Sequence, residues 1–126
     1  MTRILIVDDN PTNLKLVTFL VKAHGYDVDT AVDADAAITA IREKRPTVIL
    51  MDLQLPGIDG LELTRRLKSD PATRAIPVIA VTAYAMKGDH EKALAAGCDD
   101  YVTKPIDTRT LPDVIAKQVA RAERAS

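Results

Sequence analysis

The chain has a single cysteine, Cys98, so it forms no internal disulfide and fits a reducing compartment. Cys98 follows Gly97 and precedes an apolar segment, which marks it for inert packing. Net charge is nearly absent: 17 Lys and Arg face 18 Asp and Glu, a formal charge of -1. No global field therefore favours nucleic acid or an anionic membrane surface. Long apolar runs are missing too. Residues 4–7 give way to two acids, too soon for a signal-peptide core. Nothing approaches the roughly 18 consecutive apolar residues of a membrane span. A cytoplasmic protein is the expectation. Histidines at metal-ligand spacing are lacking, so His24 and His90 do not announce a zinc site. His24 suits the dipole at a helix end, and His90 reads as an exposed helical residue. Repeats, low-complexity segments and linkers are likewise absent.

What is present is a core. Of 126 residues 47% are hydrophobic and 28% charged, an ordinary balance for one globular domain. Residues 4–7 form a β-branched run ending at Asp8. Asn10 and Pro11 then open a helix, as cap and first residue, with Leu14, Leu16, Val17, Leu20 and Val21 as its apolar stripe and Gly25 as its stop. Residues 26–31 read as a weaker strand. Asp33 caps a second helix bearing Ala34, Ala37, Ile38 and Ile41, which ends before Pro46. Residues 47–51 are the third strand, and residues 60–68 a helix with Leu63 and Leu67 inward. Residues 77–81 are the fourth strand. The fourth helix, residues 86–96, has the weakest stripe, Ala93 and Leu94, and carries Gly88 near its start. Residues 101–103 are a short fifth strand. Leu111, Val114, Ile115 and Val119 line the last helix, with Pro112 tolerable in its first turn. Residues 121–126 read as a frayed end with no attached module.

Five strands thus alternate with five helices. Continuous apolar strands are buried on both faces, as in a parallel sheet, and right-handed crossovers place helices on both sides. The fold class is α/β, a three-layer doubly wound arrangement with strand order 2-1-3-4-5. Four strands end on reactive polar residues: Asp8 and Asp9, Asp52, Thr82 and Lys104. In such a sheet functional groups gather at the carboxyl ends of strands near the switch point. Singly, each residue has an ordinary alternative as a turn, cap or solvated strand end. Together, at strand ends of one polarity, they point to a site.

Three carboxylates in one crevice repel, and a single Lys104 cannot balance them. A hard divalent cation can, and Mg²⁺ prefers oxygen ligands. Asp9, Asp52 and a backbone carbonyl, Gln54, are the expected direct ligands, with Asp8 holding a metal-bound water. Asp52, held forward by a rigid strand beside a metal, is a nucleophile whose natural electrophile is a phosphoryl group. Thr82 and Lys104 would bind its other oxygens, and the small Ala83 leaves room for it.

The segments "ILIVDDN", "LMDLQLPGIDG", "VTAYA" and "YVTKPI" resemble the signature of response regulator receiver domains of two-component signalling. The resemblance spans about residues 2–122 of a single 1–126 domain, and "AMKGD" makes it most similar to single-domain regulators of the DivK kind. It implies a flavodoxin-like (βα)5 fold and a phosphoacceptor at Asp52, charged from a sensor histidine kinase or histidine phosphotransfer protein. It also implies Mg²⁺ at Asp8, Asp9 and Asp52, Thr82 and Lys104 as phosphate readers, and Thr82 with Tyr101 as the switch. A cis Lys104-Pro105 bond would aim Lys104, placing Pro105 at the phosphate pocket. Gln54 and Tyr84 would flank the phosphate. Readout would use the surface of the fourth helix, fifth strand and fifth helix, near Arg109, Lys117 and Arg121, toward a downstream protein. Asn10 and Asn13 would face the donor. Such a protein is a switch and not a turnover enzyme, either monomeric or dimeric on phosphorylation. The alternative is a Mg²⁺-dependent phosphatase or phosphotransferase with an aspartyl nucleophile. That class normally has a second Asp two residues after the nucleophile, and a cap. A nucleotide or flavin binder would want a Gly-rich or Ser/Thr-rich loop where "DDNPTNLK" stands.

Overall fold

The computed structural model describes residues 2–55, 59–82 and 87–125. Among these, five strands alternate with five helices: β1 (Arg3–Val7), α1 (Pro11–Ala23), β2 (Asp27–Ala31), α2 (Ala34–Glu43), β3 (Val48–Asp52), α3 (Gly60–Ser69), β4 (Val78–Thr82), α4 (Lys87–Ala96), β5 (Asp100–Thr103) and α5 (Leu111–Ala125). The strands pair in parallel in the order β2-β1-β3-β4-β5, as expected from the sequence.

Side chains of a strand alternate between the two faces of the sheet. Leu5, Val7, Ile49, Met51, Val78 and Ala80 pack beneath α2, α3 and α4. Ile4, Ile6, Val48, Leu50, Ile79 and Val102 pack beneath α1 and α5. Every residue of β3 and β4 is buried, which is why both read as unbroken apolar runs. Asn10, Asp33 and Asp59 cap α1, α2 and α3, each accepting first-turn N–H groups on its side-chain oxygen. After α1, Gly25 takes φ +88°, a conformation other residues rarely adopt.

Three details differ from the sequence reading. Leu16 and Leu94 are half-exposed. Each adjoins a residue that takes the inward position, Val17 and Ala93, and a turn of about 100° per residue carries the neighbour onto the flank. The carboxyl end is ordered: α5 stays helical to Ala125. Its last turns consist of strong helix formers, and Arg124 Nε donates to the Ala120 carbonyl. The part of the expected fourth helix at Met86 lies outside the described residues.

Candidate functional site

The pleat aims the acids. Asp8 continues the series Ile4 and Ile6, and Asp52 continues Val48 and Leu50, so both follow the α1/α5 face of adjacent strands. Both are buried, 6% and 2% exposed. The same local turn holds each one. The Asn10 N–H donates to Asp8 Oδ1 at 2.8 Å, and the Gln54 N–H donates to Asp52 Oδ1 at 2.9 Å. The backbone beneath is fixed as well. A methyl group at Gly60 would overlap the carbonyl oxygen of Asp52 and lie 2.7 Å from Leu53 Cα. The start of α3 can therefore press against the end of β3 only as glycine.

Carboxylate oxygens of Asp8, Asp9 and Asp52 lie within 4.8 Å of one another, with Asp9 exposed. Lys104 Nζ stands 3.2 Å from Asp52 Oδ2 and 3.8 Å from Asp8 Oδ2. One ammonium thus meets two of the three acids, Asp52 and Asp8, above an apolar floor that includes Ile6, Val17, Leu50, Val81 and Leu111. Burial raises the Asp8 carboxyl above its ordinary range. The Asn10 N–H opposes that rise, the Asp52 charge adds to it and Lys104 counters it. Oxygen donors, close spacing and excess negative charge suit a hard cation such as Mg²⁺.

Strand pairing brings Lys104 to this group. Thr82 pairs with Thr103, and the Lys104 N–H donates to the Thr82 carbonyl at 2.8 Å. The Lys104-Pro105 peptide is cis, as the resemblance implies, and Pro105 is exposed. Thr82 ends β4, 2% exposed, and continues the series Val78 and Ala80 on the opposite face from Asp52. Tyr101 pairs with Ala80 and packs against that same face. Thr82 and Tyr101 therefore share the α4 side of the sheet. Ala83 and Tyr84 lie outside the described residues.

Lys117 and Arg121 project from α5 near the start of β5. Lys117 Nζ lies 3.9 Å from Asp100 Oδ2, and Arg121 donates to Gln118 Oε1 at 3.2 Å. Arg109 is exposed in the loop before α5, paired with Asp107 at 3.7 Å. Asn10 and Asn13 begin α1 beside the acids, Asn10 as the cap.

Sequence reasoning missed several contacts. Gln118 is fully buried, and its amide donates to Asp100 Oδ2 at 3.1 Å, joining α5 to β5. Its place on the buried face with Ile115, three residues back along α5, was the available signal. Lys68 Nζ donates to Asp99 Oδ2 at 2.8 Å and to the Ile76 carbonyl at 2.8 Å, tying α3 to the ends that precede β4 and β5. His90 is exposed, as expected, but stacks on Tyr101 with ring centroids 4.5 Å apart and planes 15° from parallel.

The geometry has relatives. Residues 4–116 match the family model of the response regulator receiver domain. The polar-differentiation response regulator DivK of Brucella anthropi is 44% identical over 119 residues, covering 94% of this chain and 97% of that protein. A CheY-like response regulator receiver domain protein of Methanospirillum hungatei JF-1 superposes with a TM-score of 0.91 at 29% identity, over 100% of this chain and 99% of that one. The receiver domain of a sensor histidine kinase from Pseudomonas aeruginosa PAO1, with a magnesium ion coordinated in its active site cleft, gives 0.86 at 34% identity over 94% and 98% of the two chains. The carboxylates at the ends of β1 and β3, the lysine after β5 and these matches lead to one conclusion: the chain belongs to the response regulator receiver domain family, and is similar to DivK.

Proposed function

We propose that Asp52 accepts a phosphoryl group from a phosphohistidine of a sensor histidine kinase or histidine phosphotransfer protein. The observation that carries this reading is the convergence of three carboxylates within 4.8 Å, with Lys104 3.2 Å from Asp52. An Asp52 carboxylate oxygen forms the new bond to phosphorus. The phosphorus–nitrogen bond of the donor breaks, and its imidazole keeps the electron pair. Asp8, Asp9, Asp52 and the Gln54 carbonyl would hold Mg²⁺, and the magnesium reported in the Pseudomonas receiver supports that assignment by analogy. Bound there, the ion supplies positive charge against the phosphoryl oxygens.

The protein's own groups do the positioning. The Gln54 N–H sets the plane of the Asp52 carboxylate. Lys104, now beside Asp52 and Asp8, binds a phosphoryl oxygen once charge is transferred, and the Thr82 hydroxyl binds another. Pro105, joined to Lys104 by the cis peptide, borders the space the phosphate fills. Phosphorylation leaves nearly two negative charges where one stood. Thr82 turns toward them, and Tyr101, on the same face of the sheet, follows inward. The α4–β5–α5 surface then changes for a downstream protein. The chain acts as a single receiver domain and phosphoacceptor switch in the cytoplasm, away from membrane and nucleic acid, as a monomer or as a dimer formed on phosphorylation.

Incubation with acetyl phosphate and Mg²⁺, followed by peptide mass analysis, tests the assignment. The expected adduct sits on Asp52, requires Mg²⁺ and is lost in Asp52→Ala. An adduct elsewhere that persists in Asp52→Ala overturns it. Sustained turnover of a small phosphomonoester would point to the aspartyl phosphatase alternative.

A further inference from the structure

Rings are scarce in this chain: one Phe, three Tyr, two His and no Trp. Two of them nevertheless meet face to face, His90 on α4 and Tyr101 on β5, at 4.5 Å and 15°. Neither helix packing nor the sheet demands this contact. His90 is exposed, and α4 is anchored on the core by small residues, Ala93 and Ala96. The stack therefore adds an attachment between α4 and β5 where the apolar one is thin. It also ties the partly buried Tyr101 ring, which packs against the α2/α3/α4 face of the sheet, to an exposed residue of α4.

We propose that His90 is a positioning residue for Tyr101, a ring latch that keeps the switch aromatic outward until Asp52 is phosphorylated. The inference rests on the reading of Tyr101 as the switch. Inward rotation takes the Tyr101 ring off His90, so the stack is a contact of the unphosphorylated state alone. A contact made in one state lowers the apparent affinity for anything that selects the other, by the factor the contact is worth. Aromatic stacking of this kind corresponds to roughly a two- to twelve-fold bias. The latch thus sets a threshold. It suppresses signalling by the unphosphorylated chain and makes α4 and β5 part together when the switch turns.

Two variants at this exposed helical position separate the ring from the rest of the side chain. His90→Gln keeps length and polarity and removes the ring; His90→Phe keeps a stacking ring. The full chain is labelled with 3-fluorotyrosine, and the Tyr101 ¹⁹F resonance is identified by its loss in Tyr101→Phe. Spectra are taken without and with beryllofluoride and Mg²⁺, a stable phosphoryl mimic. The latch predicts that His90→Gln moves the unliganded Tyr101 signal toward its mimic-bound position and tightens mimic binding about two- to twelve-fold, while His90→Phe matches the wild type. An unmoved signal in His90→Gln, with a normal wild-type response to the mimic, overturns the latch and leaves the switch standing. Equal changes in both variants also overturn it, since the ring would then not matter. A wild-type Tyr101 signal that ignores bound mimic removes the switch role, and the latch with it.

Discussion

The two ends of the sheet that matter to signalling are built differently. At the carboxyl ends of β1 and β3, strands buried along all or nearly all of their length lead into Asp8 and Asp52, backbone N–H groups pin both carboxylates, and Gly60 seats α3 against the Asp52 carbonyl. Among the described residues, the apolar attachments at α4 and β5 are lighter. Where α3 buries Leu63 and Leu67, α4 offers Ala93 and Ala96 and leaves Leu94 half in water. β5 is an edge strand of four residues, held to α5 by the Asp100–Gln118 hydrogen bond. In the proposed function, the chemistry that needs fixed oxygens falls on the stiff end, and the surface proposed to change shape falls on the end with little apolar area to give up.

This contrast can be broken by substitution. The largest effects belong to the stiff end. Leu63→Ala should cost about 3 kcal/mol in urea unfolding, and Gly60→Ala a similar amount of about 3 kcal/mol, because backbone rather than a side-chain tip blocks the added methyl. A Gly60→Ala protein of wild-type stability would mean that α3 is not seated on β3 as described.

Cys98 gives a pH test in the same core. Burial raises its thiol to about 11, from an ordinary 9.0. The unfolded chain then releases this proton at lower pH than the folded one, so stability falls as pH rises from about 9 to about 11. Iodoacetamide should leave folded Cys98 unmodified at pH 8 and label it once the chain unfolds. Rapid labelling of the folded protein would contradict the burial.

Asp8 separates function from stability. Its raised pKa means that burial disfavours the charged form, so the charged acid weakens the metal-free fold above its unfolded titration range. Asp8→Asn should raise the urea midpoint without Mg²⁺ and abolish the stabilisation that added Mg²⁺ gives the wild type. A lower midpoint without metal would refute the account of the acidic cluster. The smallest effect belongs to the light end: Leu94→Ala should change stability by no more than about 0.5 kcal/mol. Amides of α4 should also exchange with deuterium faster than those of α3. The reverse order would dissolve the contrast.

Much of this was legible in the chain because the signals were local. Apolar runs that end on Asp8, Asp52, Thr82 and Lys104 give both the strands and the polarity of the site. Asn10, Asp33 and Gly25 mark helix ends by their own chemistry. Contacts set by packing were harder to read. Leu16 and Leu94 look core-facing in a list of apolar residues, yet neighbours one residue away take the inward positions. Gln118 looks solvated until α5 is placed over β5. His90 looks idle because its partner is eleven residues on, across a turn of chain that only the assembled sheet brings back.

In the proposed function Asp8, Asp9 and Asp52 together hold one divalent ion. Titrating ¹⁵N-labelled protein with Mn²⁺ and recording paramagnetic broadening of amide signals tests it most directly. One saturable ion per chain is expected, competed by Mg²⁺, with broadening centred on the amides of residues 8, 9, 52 and 54 and lost in Asp9→Ala. Broadening centred elsewhere, or undiminished in that variant, would contradict it.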